Sequence, residues 1–232
     1  MPSVKVHLCN RGHDFYLVSS IYQSLLYEVR YIIILHPYQL NIGREAMSKV
    51  NIGSRVTPYP MPVTLVGTLV GGKVNFMAVA WINRLNNNPP IWGAGINKNH
   101  LTAKGILEQR AFSINFPSAD MIEKTDFCGL NSGNKVDKSG VFDVFFGELK
   151  NAPMIRECPL TIECKLHDNM DLGTNLLVLG EVVAAYTEDQ YLSDGKLDIK
   201  KVNPVVLTMP DNRYWTVGDY VAKAWDVGKK LM

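Results

Sequence analysis

Apolar runs rich in β-branched residues, separated by glycine- and proline-bearing breaks, recur along this chain, and a helical spacing of apolar positions appears in only a few places. VTLVGTLV (63–70) and VNFMAVAW (74–81) flank Gly71-Gly72, so residues 63–81 predict a two-residue hairpin. Its alternation is weak, as in strands packed on both faces. Pro58, Pro60 and Pro62 give 53–62 the composition of an extended approach loop. Asn88-Pro89-Pro90 breaks the chain before a third strand, IWGAGI. A helical pattern follows from Asn99 to about Arg110, with Leu101, Ile106 and Leu107 inward, then a strand over 111–116. Ser118 is positioned to cap a short helix with Met121 and Ile122 on its apolar side. Strands are predicted at 160–167, 175–187 and 204–208, with a turn at Asp194-Gly195. Thr216 and Asp219 form a capping-box pattern, and Val217, Val221, Ala224, Trp225 and Gly228 share one face of a predicted closing helix. The sum is a mostly β chain with three or four helices.

Two segments fall outside this pattern. Residues 129–140 carry too little apolar surface to order themselves, which predicts a loop ordered by a ligand or a second subunit. Residues 1–46 differ in texture from the rest. Their apolar run from Tyr16 to Leu35 is interrupted by Glu28 and Arg30, a poor transmembrane pattern, and no signal-peptide signature precedes it. Met47-Ser48-Lys49 reads as a natural start. The expected organisation is therefore an N-terminal extension, 1–46, not belonging to the working fold, and one domain over 47–232; an extension that packs on the barrel or a partner is the alternative.

Composition narrows the function classes. The chain has 232 residues, 47% hydrophobic and 20% charged, with 24 basic and 22 acidic residues and a net charge of +2. That length supports one sizeable core. The mixed charge gives no reason to expect nucleic acid or a membrane surface as a partner. Four cysteines, at 9, 128, 158 and 164, show no CxxC spacing, so reduced thiols in a cytoplasmic protein are expected. Five scattered histidines form no metal-binding pair, and no GxSxG elbow is present. Gly93-Ala94-Gly95 lacks the third glycine of a dinucleotide fingerprint. Cys128, beside Gly129, is the thiol to test for reactivity.

The start of the first helix carries more specific chemistry. Asn97-Lys98-Asn99-His100-Leu101-Thr102 is a polar, basic segment opening a helix, where unpaired N–H groups and the positive dipole end suit a phosphate. Lys98 and Thr102 would add a cation and a hydroxyl, with N–H groups of Asn97 to His100 beside them. The competing reading is an ordinary helix start capped by Asn99. His100 is equally a phosphate donor or a neutral surface histidine.

Six segments in order, PMPVTLVG, VNFMAVAW, INKNHLT, FSINFPS, TDFCGLNSGNKVDK and YWTVGDYVAKAWDVGK, resemble the flavin reductase-like family of FMN-binding split barrels, most closely its flavoredoxin branch. The resemblance runs from about residue 47 to the C-terminus. It implies a mainly β fold with peripheral helices, a six-stranded Greek-key split β-barrel, and a homodimer with FMN near the interface. It also implies an oxidoreductase that passes electrons from NAD(P)H or a reduced redox protein through FMN to an acceptor. The alternatives are a non-catalytic FMN-containing electron carrier and a flavin-binding protein without turnover.

The same resemblance nominates Asn75 and the strand Phe76, Met77, Ala78, Val79, Ala80 and Trp81 for the flavin ring and ribityl chain. Backbone groups there would bind the pyrimidine edge, and small side chains at Ala78 and Ala80 permit close approach. Many relatives carry threonine at the position of Ala78, so that hydroxyl is missing here. Trp81 either stacks near the flavin or fills the core. Lys138 matches the position expected near the flavin, where a cation stabilises the charge that develops on reduction. Lys135, three residues away, is a possible substitute. Tyr214 and Trp215 either cover a ring face, across a dimer interface, or anchor packing.

Overall fold

The computed structural model describes residues 49–232, and the expectations for the N-terminal extension lie outside the described residues. Val56–Met232 form one compact unit. After a two-residue strand β1 (Met61–Pro62), β2 (Thr64–Val70) and β3 (Lys73–Val79) pair antiparallel from Val70↔Lys73 to Thr64↔Val79. Gly71 and Gly72 have φ of +55° and +77°, the left-handed pair that a tight hairpin turn requires. β4 (Ile82–Asn86) and β5 (Ile91–Asn97) form a second hairpin. Then come α1 (Leu101–Gln109), β6 (Ala111–Phe116), a 3₁₀ turn and α2 (Ile122–Leu130). The short pair β7 (Val144–Phe145) and β8 (Met154–Ile155) precedes the long strands β9 (Leu160–Asp171) and β10 (Asn175–Tyr186). β11 (Leu192–Ser193), β12 (Lys196–Leu197), α3 (Ile199–Val202), β13 (Val205–Thr208) and β14 (Arg213–Thr216) complete the chain.

The main sheet is antiparallel in the order β3-β2-β6-β9-β10-β5-β4. It is mainly β with peripheral helices, as expected, but has seven strands rather than six and is not closed by hydrogen bonds. The extra strand is β4. Only Ile82 of its five residues is buried, so nothing in its pattern marks a core strand.

β2 and β3 are covered on both faces, which explains their weak alternation. Val66 and Val79 join Ile96, Ile106, Phe112 and Ile114 in one cluster. Leu65 and Phe76 join Met121, Cys128 and Phe142 in another. Phe76 meets Phe142 edge-to-face at 5.5 Å. Gly105 lets α1 lie close on β2: a Cβ there would fall 2.6 Å from Thr68 Cγ2 and 2.7 Å from Val70 Cγ2. That close seating fixes the start of α1 next to β3. Glu163, fully buried, accepts from the Glu148 and Leu149 N–H groups at 2.9 and 2.8 Å and from the Tyr186 hydroxyl at 2.6 Å, pinning the segment between β7 and β8 to β9.

Four local expectations are corrected. Leu107 faces solvent, 39% exposed, while Thr102, Ala103, Gly105 and Ile106 form the buried side of α1. The residue before α1 is His100 rather than Asn99, and neither it nor Ser118 makes a side-chain capping bond. The largest correction is at the C-terminus. Thr216 ends β14, residues 217–232 hold no α-helix, and a 3₁₀ turn at Val227–Leu231 is the only regular structure. The fourth concerns loop 129–140, which its own chain holds. Lys73 Nζ meets Asp137 Oδ2 at 2.9 Å, and Asn134 Nδ2 donates to the Asn99 carbonyl at 3.3 Å.

Candidate functional site

Asn75, on β3, faces away from the Phe76 cluster, as the period-two geometry of a strand dictates. Its Nδ2 donates to Thr102 Oγ1, in the first turn of α1, at 2.8 Å; both side chains are buried. Because that bond uses Thr102 as acceptor, the threonine proton remains available to donate. The loop after α2 closes on the pair from above. A Cβ at Gly133 would lie 2.3 Å from Asn75 Oδ1, so only glycine fits.

Lys138 comes from the far end of the same loop and is 3% exposed. Its ammonium donates to the carbonyls of Cys128 at 3.3 Å and Asn131 at 3.1 Å. Among the described residues no carboxylate pairs with it. Burial lowers the lysine's pKa below its usual value, with the neighbouring Cys128 opposing that shift slightly. Cys128 lies inside α2 and is buried, and desolvation pushes its thiol up to about 11, partly offset by Lys138. A thiol in that state is not a nucleophile at neutral pH, which removes it as a reactive cysteine.

Two neighbouring recesses surround these groups and share Leu101, Gly133 and Lys138 as walls. One, of about 240 Å³, is lined by Val74, Asn75 and residues 133–138 among others. The other, of about 130 Å³, adds Met77, His100, Thr102 and residues 128–132. Neither alone reaches the roughly 300–1,000 Å³ of pockets that engulf a ligand.

The helix start offers fewer donors than its sequence suggests. The Lys98 N–H donates to the Thr174 carbonyl at 3.2 Å, Asn99 N–H to Asn97 Oδ1 at 3.0 Å, and His100 N–H to the Asn97 carbonyl at 3.0 Å. Lys98 Nζ is held by both oxygens of Asp171 at 2.9 Å. Asn97 and Lys98 are therefore committed within the chain. The N–H groups that remain for a ligand are those of Leu101 and Thr102, one step further into the helix.

The other candidates separate into three places. Phe76 and Val79 are core side chains, and Ala78 packs on the second cluster and beside Gly129. Ala80 and Trp81 line a different, apolar groove of about 460 Å³. Trp81 is 49% exposed, so it does not fill the core. Tyr214 and Trp215 border a third recess with Ile122 and Val205. Tyr214 O–H donates to Asp126 Oδ1 at 2.7 Å and Trp215 Nε1 to Thr208 Oγ1 at 2.9 Å. Asn131, Ser132 and Gly133 are not individual candidates in the sequence, which marks them only as part of the loop 129–140 and of the family segment TDFCGLNSGNKVDK. Leu101 reads there only as an inward helix residue.

The donor set fits an anionic, partly polar ligand. A buried ammonium facing only carbonyls is stabilised by an anion. A hydroxyl with a free proton and two N–H groups at a helix start suit phosphate oxygens.

Comparison with known proteins agrees with this chemistry. Residues 55–207 match a family described as flavin reductase like domain. The chain is similar to the crystal structure of flavoredoxin from Methanosarcina acetivorans, with 56% identity, a TM-score of 0.78, and coverage of 79% of this chain and 99% of that one. It is also similar to flavoredoxin of Desulfovibrio vulgaris (Miyazaki F), at 33% identity, TM-score 0.73, and coverage of 78% and 99%. An uncharacterized protein of Pyrococcus abyssi is 31% identical over 143 residues, 61% of this chain and 83% of that relative.

Proposed function

The chain belongs to the flavin reductase like domain family, and from that premise we propose that it binds FMN and works as an oxidoreductase, taking electrons from NAD(P)H or a reduced redox protein. The observation that carries this reading is Lys138, an ammonium buried without a carboxylate beside the Asn75–Thr102 pair. Bound FMN supplies the hydride and electron chemistry; the protein supplies position and electrostatics.

Each residue then has a task. The Thr102 hydroxyl and the Leu101 and Thr102 N–H groups hold the phosphate at the positive end of α1. Asn75 orients Thr102 by occupying its acceptor site. Lys138 stabilises negative charge on the ring edge, in a setting dry enough for the effect to be large. The backbone of β3 seats the ring. Lys98 contributes at most through long-range charge, because Asp171 already neutralises it. Two recesses this small leave much of the ligand uncovered, which favours a homodimer in which a second subunit adds cover. The reading carries with it a cytoplasmic protein; among the described residues no helix is long and apolar enough to cross a membrane.

The similarity to two flavoredoxin structures favours a second reading, an electron carrier served by proteins alone. One experiment tests both. Protein saturated with FMN and freed of excess flavin should keep a yellow absorption band. NADH or NADPH added without oxygen should bleach it within seconds for the oxidoreductase. Bleaching only by a reduced protein donor selects the carrier. A colourless protein after FMN loading contradicts both.

A further inference from the structure

The side chains best suited to hold a ligand lie sealed beneath a loop. Asn75, Thr102 and Lys138 are 5%, 2% and 3% exposed. A phosphate cannot reach a hydroxyl buried to that degree unless one wall of the site moves. Three walls meet there. β3 is paired along its length with β2. α1 is seated on β2 through Gly105, where a Cβ would fall 2.6 Å from Thr68 Cγ2. The third wall is the chain from 132 to 137, which belongs to no strand and no helix. Ser132, Asn134, Lys135 and Asp137 are exposed, and Gly133 and Val136 are only partly buried. It is the wall with the least packing to hold it.

This segment is built to move as one piece. The Lys135 and Val136 N–H groups donate to the Ser132 carbonyl at 2.9 and 3.0 Å, and the Asn134 N–H donates to Ser132 Oγ at 3.3 Å. Its ends are joined by Lys138 Nζ, which donates to the Asn131 carbonyl at 3.1 Å. Compact surface loops with their ends close together hold their own shape. The flanks are fixed: Cys128 before it and Phe142 after it are buried in the second core cluster. Among the described residues two side-chain bonds tie the segment to the opposite walls. Asn134 Nδ2 donates to the Asn99 carbonyl at 3.3 Å, and Lys73 Nζ, at the start of β3, meets Asp137 Oδ2 at 2.9 Å. Asp137 Oδ1 also accepts the Ser139 N–H at 2.9 Å. Ser139, and then Lys73, hold the Asp137 carboxyl well below the usual carboxylate range, so it is charged at neutral pH.

We propose that 132–137 is a strap over the site and that the Lys73–Asp137 ion pair latches it, setting how fast FMN enters and leaves rather than how tightly it binds, a role that rests on the FMN reading above. The strap is shut over the Asn75–Thr102 pair: a Cβ at Gly133 would lie 2.3 Å from Asn75 Oδ1. Opening has to precede both entry and release, so a bond made only in the shut form slows both steps. The paired side chains are 73% and 52% exposed, outside the buried pair that faces the ligand. Breaking the latch therefore raises both rates by one factor and leaves their ratio, the Kd, unchanged. Steering of an anionic ligand by the same two charges would act differently. Lys73→Met removes a positive charge and Asp137→Asn a negative one, so steering shifts the entry rate in opposite directions. A broken latch raises it in both.

Those two full-length variants test it. Both side chains are exposed, and Asp137→Asn keeps an oxygen for the Ser139 N–H, so both variants should fold. Stopped-flow flavin fluorescence gives the entry rate, and a chase with excess of a second FMN-binding apoprotein gives the release rate. Each variant should raise both rates about three- to fivefold, the size an exposed ion pair allows, with affinity within about twofold of wild type. The double variant should match either single one, because all three lose the same bond. Lys73→Arg, which keeps the pair, should keep wild-type rates. In protein without flavin, amide hydrogen exchange over 132–137 should quicken by the same factor in both single variants. Opposite shifts of the entry rate in the two variants overturn the latch. So do wild-type rates in both, or unaltered exchange over 132–137. Failure of the wild type to bind FMN overturns the functional reading instead, and the exchange comparison then decides by itself whether the ion pair holds the strap.

Discussion

The turn before α1 and the loop after α2 each present a lysine near Thr102, and the protein treats the two cations in opposite ways. Lys98 projects from the turn with 38% of its side chain exposed, and Asp171 grips it through both oxygens at 2.9 Å. Lys138 is 3% exposed and meets two carbonyls. An exposed ion pair contributes about 0–1 kcal/mol and is weakened by salt. A buried, unpaired ammonium is costly to the empty protein and correspondingly responsive to an incoming anion. Charge near a site is thus not a measure of its use. Desolvation and the absence of a competing carboxylate decide which lysine serves a ligand.

The contrast makes graded predictions. The largest is for Lys138→Met, which should weaken FMN binding by at least 100-fold, about 2.7 kcal/mol. The same change should stabilise the ligand-free protein by about 1 kcal/mol, because it removes a buried charge without leaving a carboxylate unpaired. Opposite signs for binding and stability, read by flavin titration and urea denaturation, would be hard to obtain from a lysine that only holds the loop in place.

Next in size is Thr102→Ala. It should cost roughly tenfold in FMN affinity, about 1.4 kcal/mol, and about 1–2 kcal/mol of stability because buried Asn75 loses its acceptor. Riboflavin, which lacks the phosphate, sharpens the assignment. Thr102→Ala should leave riboflavin binding nearly unchanged, whereas Lys138→Met should weaken riboflavin as much as FMN. Equal losses for both ligands in Thr102→Ala would move the threonine from the phosphate to the ring.

The third prediction concerns pH. Burial holds Lys138 below the usual lysine value of 10.5. Between its folded value and 10.5 the unfolded chain therefore binds more protons, and this lysine's contribution to stability rises with pH. Tyr214, pushed up to about 12 by burial and its bond to Asp126, acts oppositely above pH 10. The clean observable is thus the stability difference between Lys138→Met and wild type, which should shrink steadily as pH approaches 10.5. A difference that stays constant from pH 7 to 10.5 would mean that Lys138 titrates as a free lysine.

The smallest effect is expected for Lys98→Met: less than threefold in FMN affinity, about 0.6 kcal/mol or below. A tenfold loss there would reverse the comparison.

Much of this architecture is legible from local pattern. The Gly71-Gly72 turn, the strand at 111–116, the start of β9, nearly all of β10 and the Asp194-Gly195 turn all follow from residues adjacent in sequence. What escapes is set by distant partners. Lys98 looks available until Asp171, 73 residues away, is brought to it by the pairing of β5 with β10 and of β10 with β9. Lys138 sits in a segment, NKVDK, polar enough to read as solvated, and only the packing of the loop against β3 and α2 buries it. β4 escapes because four of its five residues face water. The tail errs the other way: its periodicity is helical, yet Val221 and Trp225 are exposed and residues 217–232 hold only a 3₁₀ turn. Asn75 and Thr102, 27 residues apart, are each legible as site residues, but their hydrogen bond to each other is not, since it depends on how closely Gly105 lets α1 approach β2.

The most direct measurement is a titration of FMN into wild type, Lys138→Met and Lys98→Met, followed by flavin fluorescence at constant ionic strength. Binding weakened at least 100-fold in Lys138→Met and less than threefold in Lys98→Met is the predicted result. Affinity within twofold of wild type for Lys138→Met, with a large loss for Lys98→Met, would contradict the assignment of the buried lysine to the flavin.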